Sequence, residues 1–161
     1  RLFGKMKPVR SIVIGIVIIS LSMALNLLPI YSAGGIRAVT SLGIPAASLF
    51  VVLVIAAAAF GELFTSARMY EYVGSLAPKG QEGLFLGYAN LPLAIGSLFG
   101  GPVGAVIFNE VMARGATLRP DGLLELDPTQ NMLGWMILMG IGLASAVSMW
   151  LFNRHLEKHP A

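Results

Sequence analysis

Four long apolar stretches, separated by short polar ones, dominate the chain: Ser11–Tyr31, Ala46–Ala77, Gly83–Phe108 and Asn131–Phe152. A helix rising 1.5 Å per residue needs about 20 such residues to cross ~30 Å of hydrocarbon. The pattern therefore predicts four transmembrane helices and an all-α integral membrane protein. The first stretch follows RLFGKMKPVR, which carries Arg1, Lys5, Lys7 and Arg10 and no acid. A basic start before an apolar run resembles a secretory signal, but the apolar core of such a signal is only about 7–15 residues. This one is longer and reads as a span, ended by Pro29 and Gly34-Gly35, with Ser32–Ile44 as a short polar loop. Pro45 suits the first turn of the second helix.

The second stretch exceeds what a bilayer requires, so it should tilt or project beyond it. Pro78 with Lys79-Gly80 closes it. In the third, Pro92 and Pro102 remove backbone donors and should bend the helix. Gly96, Gly100 and Gly104 recur every four residues and predict a helix-packing face. Asn109–Gln130 is the longest polar loop, with a turn signal at Pro120-Asp121-Gly122. The fourth stretch has Gly134, Gly140, Ala144 and Ser148 as small packing positions, and Trp135 and Trp150 near its ends, where indole rings favour the interface. The closing NRHLEKHPA reads as a short polar tail.

Composition strengthens this reading. The 161 residues are 56% hydrophobic and 12% charged, against about 25% charged in soluble domains, and mean hydropathy is +0.78. Cysteine is absent, which excludes disulfides, thiolate metal sites and a cysteine nucleophile. The net charge of +3 matters less than its placement. Four spans put both ends on one side, together with Arg1, Lys5, Lys7, Arg10, Lys79, Arg154 and Lys158, while Arg37, Arg114 and Arg119 fall on the other. The positive-inside rule then expects both termini in the cytoplasm, the membrane being a bacterial inner (plasma) membrane. Arg1 in place of an initiator Met is expected of a segment of a longer protein.

The chemistry centres on Glu62, an acid inside the second span. A carboxylate at that depth is costly and usually faces a bundle interior or a water-filled path. At helical spacing Glu62, Thr65, Ser66 and Met69 share a face, so hydroxyls flank the acid. A carboxyl in a low-dielectric site takes up a proton more readily, which suits proton coupling, and a carboxylate can also pair with a substrate amine. The bland alternative is a structural acid bonded to a neighbouring helix. Arg68 and Glu71 read as a structural pair near the cytoplasmic interface, or part of an inner gate. Asn90 and Tyr88 either line a pathway or make packing hydrogen bonds. His155 and His159 belong to the tail, and two histidines do not make a metal site. GSLFGGPVG lacks the strand context and the lysine of a phosphate loop. No cofactor, no metal, no nucleic-acid partner and no enzymatic activity are expected.

FGELFTSARMYEYVGSLAPKGQEGLFLGYANLPLAIGSLFGG resembles the tenth and eleventh helices of the major facilitator superfamily, and within it is most similar to the proton-dependent oligopeptide transporters. Gly61-Glu62, Ser66 and Ala77-Pro78 match that family's tenth helix; Gly83, Gly87, Leu91, Ala94 and Gly96 match its eleventh. Gly100-Gly101-Pro102-Val103-Gly104 looks like the superfamily's Gly-Pro signature. The resemblance extends loosely to Lys7–Leu28 as the ninth helix and Asn131–Phe152 as the twelfth. Ala67 and Ala89 depart from the proline and tryptophan usual at those positions. The resemblance implies the helix 9–12 portion of a major facilitator fold, with Glu62 facing the central cavity and contacting a substrate amino terminus. It implies alternating access driven by the proton gradient, and as partners the lipid bilayer, a small-molecule solute and the remaining helices of the same transporter. An exporter of drugs or other organic solutes is the second expectation. A four-helix membrane scaffold that transports nothing is the third.

Overall fold

A computed structural model describes residues 7–31, 39 and 43–158. Arg1, Lys5, Gly34-Gly35, Arg37 and His159 lie outside the described residues. Four helical stretches are long and apolar enough to cross a membrane: Pro8–Leu27, Ala46–Leu76, Glu82–Met112 and Pro128–His155. In the first of these windows 22% of residues are buried, against 6% in each of the others. The first helix is therefore the most enclosed, with α3 and α6 both packed on it.

Helix α1 (Pro8–Ser22) starts with Pro at its first position, where no N–H is needed. It tightens into a 3-10 turn over Met23–Leu27 and resumes briefly as α2 (Leu28–Tyr31). The tightening has a local cause, since Pro29 has no N–H to give the Leu25 carbonyl; Leu28 donates to it instead. Helix α3 (Ala46–Leu76) runs 31 residues unbroken, with Pro45 at its N-cap position.

The third span is interrupted. Helix α4 (Glu82–Tyr88) meets α5 (Asn90–Val106) at Ala89. The break falls just before Pro92, whose ring would crowd the carbonyl four residues back, that of Tyr88. Pro102, by contrast, lies inside an uninterrupted α5. The end of this span widens into a π-helical turn over Ile107–Met112, where Ala113 N–H donates to Phe108 O at 2.7 Å. The helix thus reaches four residues into the expected loop.

That loop folds into a two-residue hairpin, β1 (Thr117–Leu118) against β2 (Leu124–Glu125). Its turn holds Pro120-Asp121-Gly122, with Gly122 at φ +80°, a conformation glycine adopts without steric cost. Asp127 then caps the last helix, accepting from the N–H groups of Thr129 at 2.9 Å and Gln130 at 3.1 Å. Helix α6 runs over Pro128–Lys158, so the segment read as a tail continues the helix to Lys158.

Close approach fixes the packing. The α1 and α3 backbones meet at Gly15 and Gly61: a Cβ on Gly15 would lie 2.6 Å from Gly61 O, and one on Gly61 would lie 2.9 Å from Gly15 O. Gly142 of α6 takes Ser20 of α1, and Gly134 takes Met112. Buried Ser20 and Ser22 return their hydroxyls to Ile16 O and Ile19 O, each at 2.7 Å, so neither leaves a polar group unpaired. The expected packing face is different: a Cβ on Gly96, Gly100 or Gly104 would meet nothing within 4 Å. Helix α5 packs chiefly on its chain neighbours, α4 and the π-helical turn, and residues 90–103 are exposed throughout. Within the fourth span, Gly140 likewise meets nothing and Ser148 is exposed, its hydroxyl bonded back to Ala144 O at 2.8 Å.

Lys7 Nζ bonds Glu157 Oε1 at 2.7 Å. The start of α1 and the end of α6 therefore lie at the same end of the bundle.

Candidate functional site

Helix α3 carries most of the candidate residues. Gly61 is buried against α1, and Glu62, one residue on, is turned about 100° away from that contact and is exposed. The residue before Glu62 is thus what holds the helix, while Glu62 itself lies on the open flank. With 16 residues of α3 before it and 14 after, the carboxylate stands roughly 20 Å from either helix end at 1.5 Å per residue.

The expected polar face divides in two. Thr65 turns its Cγ2 toward α1, 2.6 Å from where a Cβ on Gly15 would lie, and gives its hydroxyl to Glu62 O at 3.1 Å. Thr65 therefore belongs to the packing seam. Ser66 stays half-exposed, one turn from Glu62. The next turn adds a residue the sequence reading passed over: Tyr70 donates its hydroxyl to Asn90 Oδ1 at 2.9 Å. Glu62, Ser66 and Tyr70 are spaced i, i+4, i+8, a regular helical stripe. That spacing was a visible signal, masked by the tyrosine's apolar character.

Asn90 is the first residue of α5, so the Tyr70–Asn90 bond ties α3 to the start of α5, beyond the break at Ala89. At the far ends of these helices, Phe50 of α3 and Phe108 of the π-helical turn help line a cleft of about 410 Å³ with Trp135 of α6. Between these two points the flanks of α3 and α5 are exposed. Tyr88 is exposed and stacks edge-on with Phe85 at 6.2 Å.

Arg68 and Glu71 form an ion pair, with side chains 17% and 56% exposed. Arg68 also borders a groove of about 250 Å³, with Ser11, Phe60, Leu63 and Phe64. Ser11 donates to Phe64 O across that groove at 3.2 Å. Glu62 is not one of its lining residues, so the groove and the acid occupy different sides of α3. The structure thus brings together Glu62, Ser66, Tyr70 and Asn90 along one flank, and Arg68 with Glu71 nearer the helix end. It leaves Gly96, Gly100 and Gly104 apart from both. Among the described residues no group of three or more His, Cys, Asp or Glu could hold a metal ion.

Compared with family models, with characterised proteins and with solved structures, the chain finds no match. The fold is mostly helical, with four helices long and apolar enough to cross a membrane.

Proposed function

We propose that the chain is the helix 9–12 portion of a major facilitator-type secondary transporter. In this reading it moves a small peptide-like or amine-bearing solute, coupled to the proton gradient by alternating access. The supporting observation is Glu62: an acid inside the second apolar stretch, exposed on the flank that α1 leaves open. Facing lipid at that depth would cost several kcal/mol, so the flank is best matched by a wet cavity shared with further helices. Ser66 and the Tyr70–Asn90 pair supply hydrogen-bonding groups beside it. In this role Glu62 takes the proton or pairs with a substrate amine, and the remaining helices of the transporter complete the cavity. Lys7, Arg10, Arg154 and Lys158 at the common end of α1 and α6 favour a cytoplasmic location for that end, in a bacterial plasma membrane.

The test is uptake of radiolabelled di- and tripeptides by cells expressing the gene, at acidic and neutral external pH. Glu62→Gln should abolish the stimulation by acid. Uptake in that variant that remains fully pH-dependent would reject the role of Glu62. Efflux of a lipophilic dye with no peptide uptake would favour the exporter, and no flux of either would favour a scaffold.

A further inference from the structure

The last two turns of α6 carry a pattern that helix packing does not use. Trp150, Arg154 and Lys158 are spaced i, i+4, i+8 and therefore share one face. All three are exposed, and the Arg154 guanidinium lies 5.4 Å from the Trp150 ring centroid. Val147 and Leu151, about two turns and one turn before Arg154, are also exposed, at 54% and 53%. The stripe borders the α1 contact: Gly142 meets Ser20 of α1, Ala146 is 3% exposed, and Glu157 is held by Lys7. The outward stripe thus passes from aliphatic to indole to cationic within about three turns. The acid at this end, Glu157, is engaged by Lys7.

We propose that Arg154 and Lys158, with Trp150 beneath them, bind the headgroup phosphate of an anionic phospholipid, the acyl chain lying along Val147 and Leu151. The chemistry fits each part. Guanidinium offers a planar fork that matches phosphate oxygens. Indole favours the headgroup level, and long cationic side chains extend past it. Each cation near an anionic leaflet contributes about a fivefold preference. Cations at a helix C-terminus also complement its dipole, but that role needs neither the stacked indole nor the apolar approach. The inference rests on α6 crossing a membrane and is independent of the transport reading.

The chain's two tryptophans supply the test. The Trp135 end adjoins the hairpin loop, where Glu110, Asp121, Glu125 and Asp127 outnumber Arg114 and Arg119. The full chain is reconstituted into vesicles of brominated phosphatidylcholine or brominated phosphatidylglycerol. Tryptophan quenching is then read in Trp135→Phe, which reports Trp150, and in Trp150→Phe, which reports Trp135. The expected result is severalfold stronger binding of phosphatidylglycerol at Trp150, with no such preference at Trp135. Arg154→Gln/Lys158→Gln should bring the Trp150 ratio to about one, and Arg154→Lys/Lys158→Arg, which keeps both charges, should retain a preference. Equal quenching by the two lipids at Trp150 would overturn the proposal. So would a preference that survives the double glutamine variant with its helical circular dichroism intact. Added inorganic phosphate should not compete, and loss of the preference on its addition would show a site for free anions instead of lipid.

Discussion

The sharpest prediction concerns the crossing of α1 and α3. A methyl added at Gly15 would sit 2.6 Å from Gly61 O, 2.6 Å from Thr65 Cγ2 and 3.0 Å from Phe64 Cβ. Non-bonded heavy atoms are comfortable at about 3.5–4.0 Å, so the helices must part by roughly 1 Å. The nearest obstacles are a backbone carbonyl and a β-branched methyl, and neither can rotate aside freely. Overpacking of this kind costs about 1–3 kcal/mol. Replacing glycine by alanine within a helix returns up to about 1 kcal/mol of propensity. Gly15→Ala should therefore be destabilising by about 0–3 kcal/mol, lowering the melting temperature in detergent by up to several degrees. Gly61→Ala, with its Cβ 2.7 Å from Ile19 Cγ1 and 2.9 Å from Gly15 O, should behave alike. The double variant should cost less than the sum, because one separation relieves both clashes. Gly100→Ala is the control: nothing lies within 4 Å of its added carbon, so it should be neutral or mildly stabilising. Thermal melts followed by size-exclusion chromatography would decide. A Gly100→Ala variant that melts below Gly15→Ala in this chain would refute the assignment of the close crossing.

Other outcomes follow from local geometry. Lys7 holds the Glu157 carboxyl below the usual carboxylate range, first through their hydrogen bond and then through charge. A carboxyl whose folded pKa is depressed stabilises the fold above its unfolded pKa, and that contribution is lost as pH falls through the folded value. Hydrogen exchange in the first turn of α1 should therefore speed up in the acid range below the ordinary glutamate pKa, beyond the intrinsic pH effect, and Glu157→Gln should remove that dependence. Asp127→Ala strips the cap from two α6 amides and should cost about 1 kcal/mol, visible as a lowered melting temperature. A double-mutant cycle of Tyr70→Phe with Asn90→Ala should show coupling of about 1 kcal/mol, and zero coupling would mean the α3–α5 tie is absent in the folded protein.

The amino-acid sequence by itself determined the four spans, the Pro120-Asp121-Gly122 turn and the break near Pro92. Span length and apolarity add up residue by residue, and proline and glycine act on their own backbone, so no distant partner is needed to read them. Helical spacing also placed Ser66 beside Glu62. Spacing says which residues share a face, but not which face meets another helix. Gly96, Gly100 and Gly104 have the more regular pattern, yet the close approaches fall at Gly15, Gly61, Gly134 and Gly142. Only the tertiary arrangement decided that Thr65 turns to α1 while Glu62 does not, that Tyr70 reaches Asn90, and that Lys7 meets Glu157 across 150 residues of chain. Those choices depend on how whole helix surfaces interlock, a property of pairs of elements that no single stretch encodes.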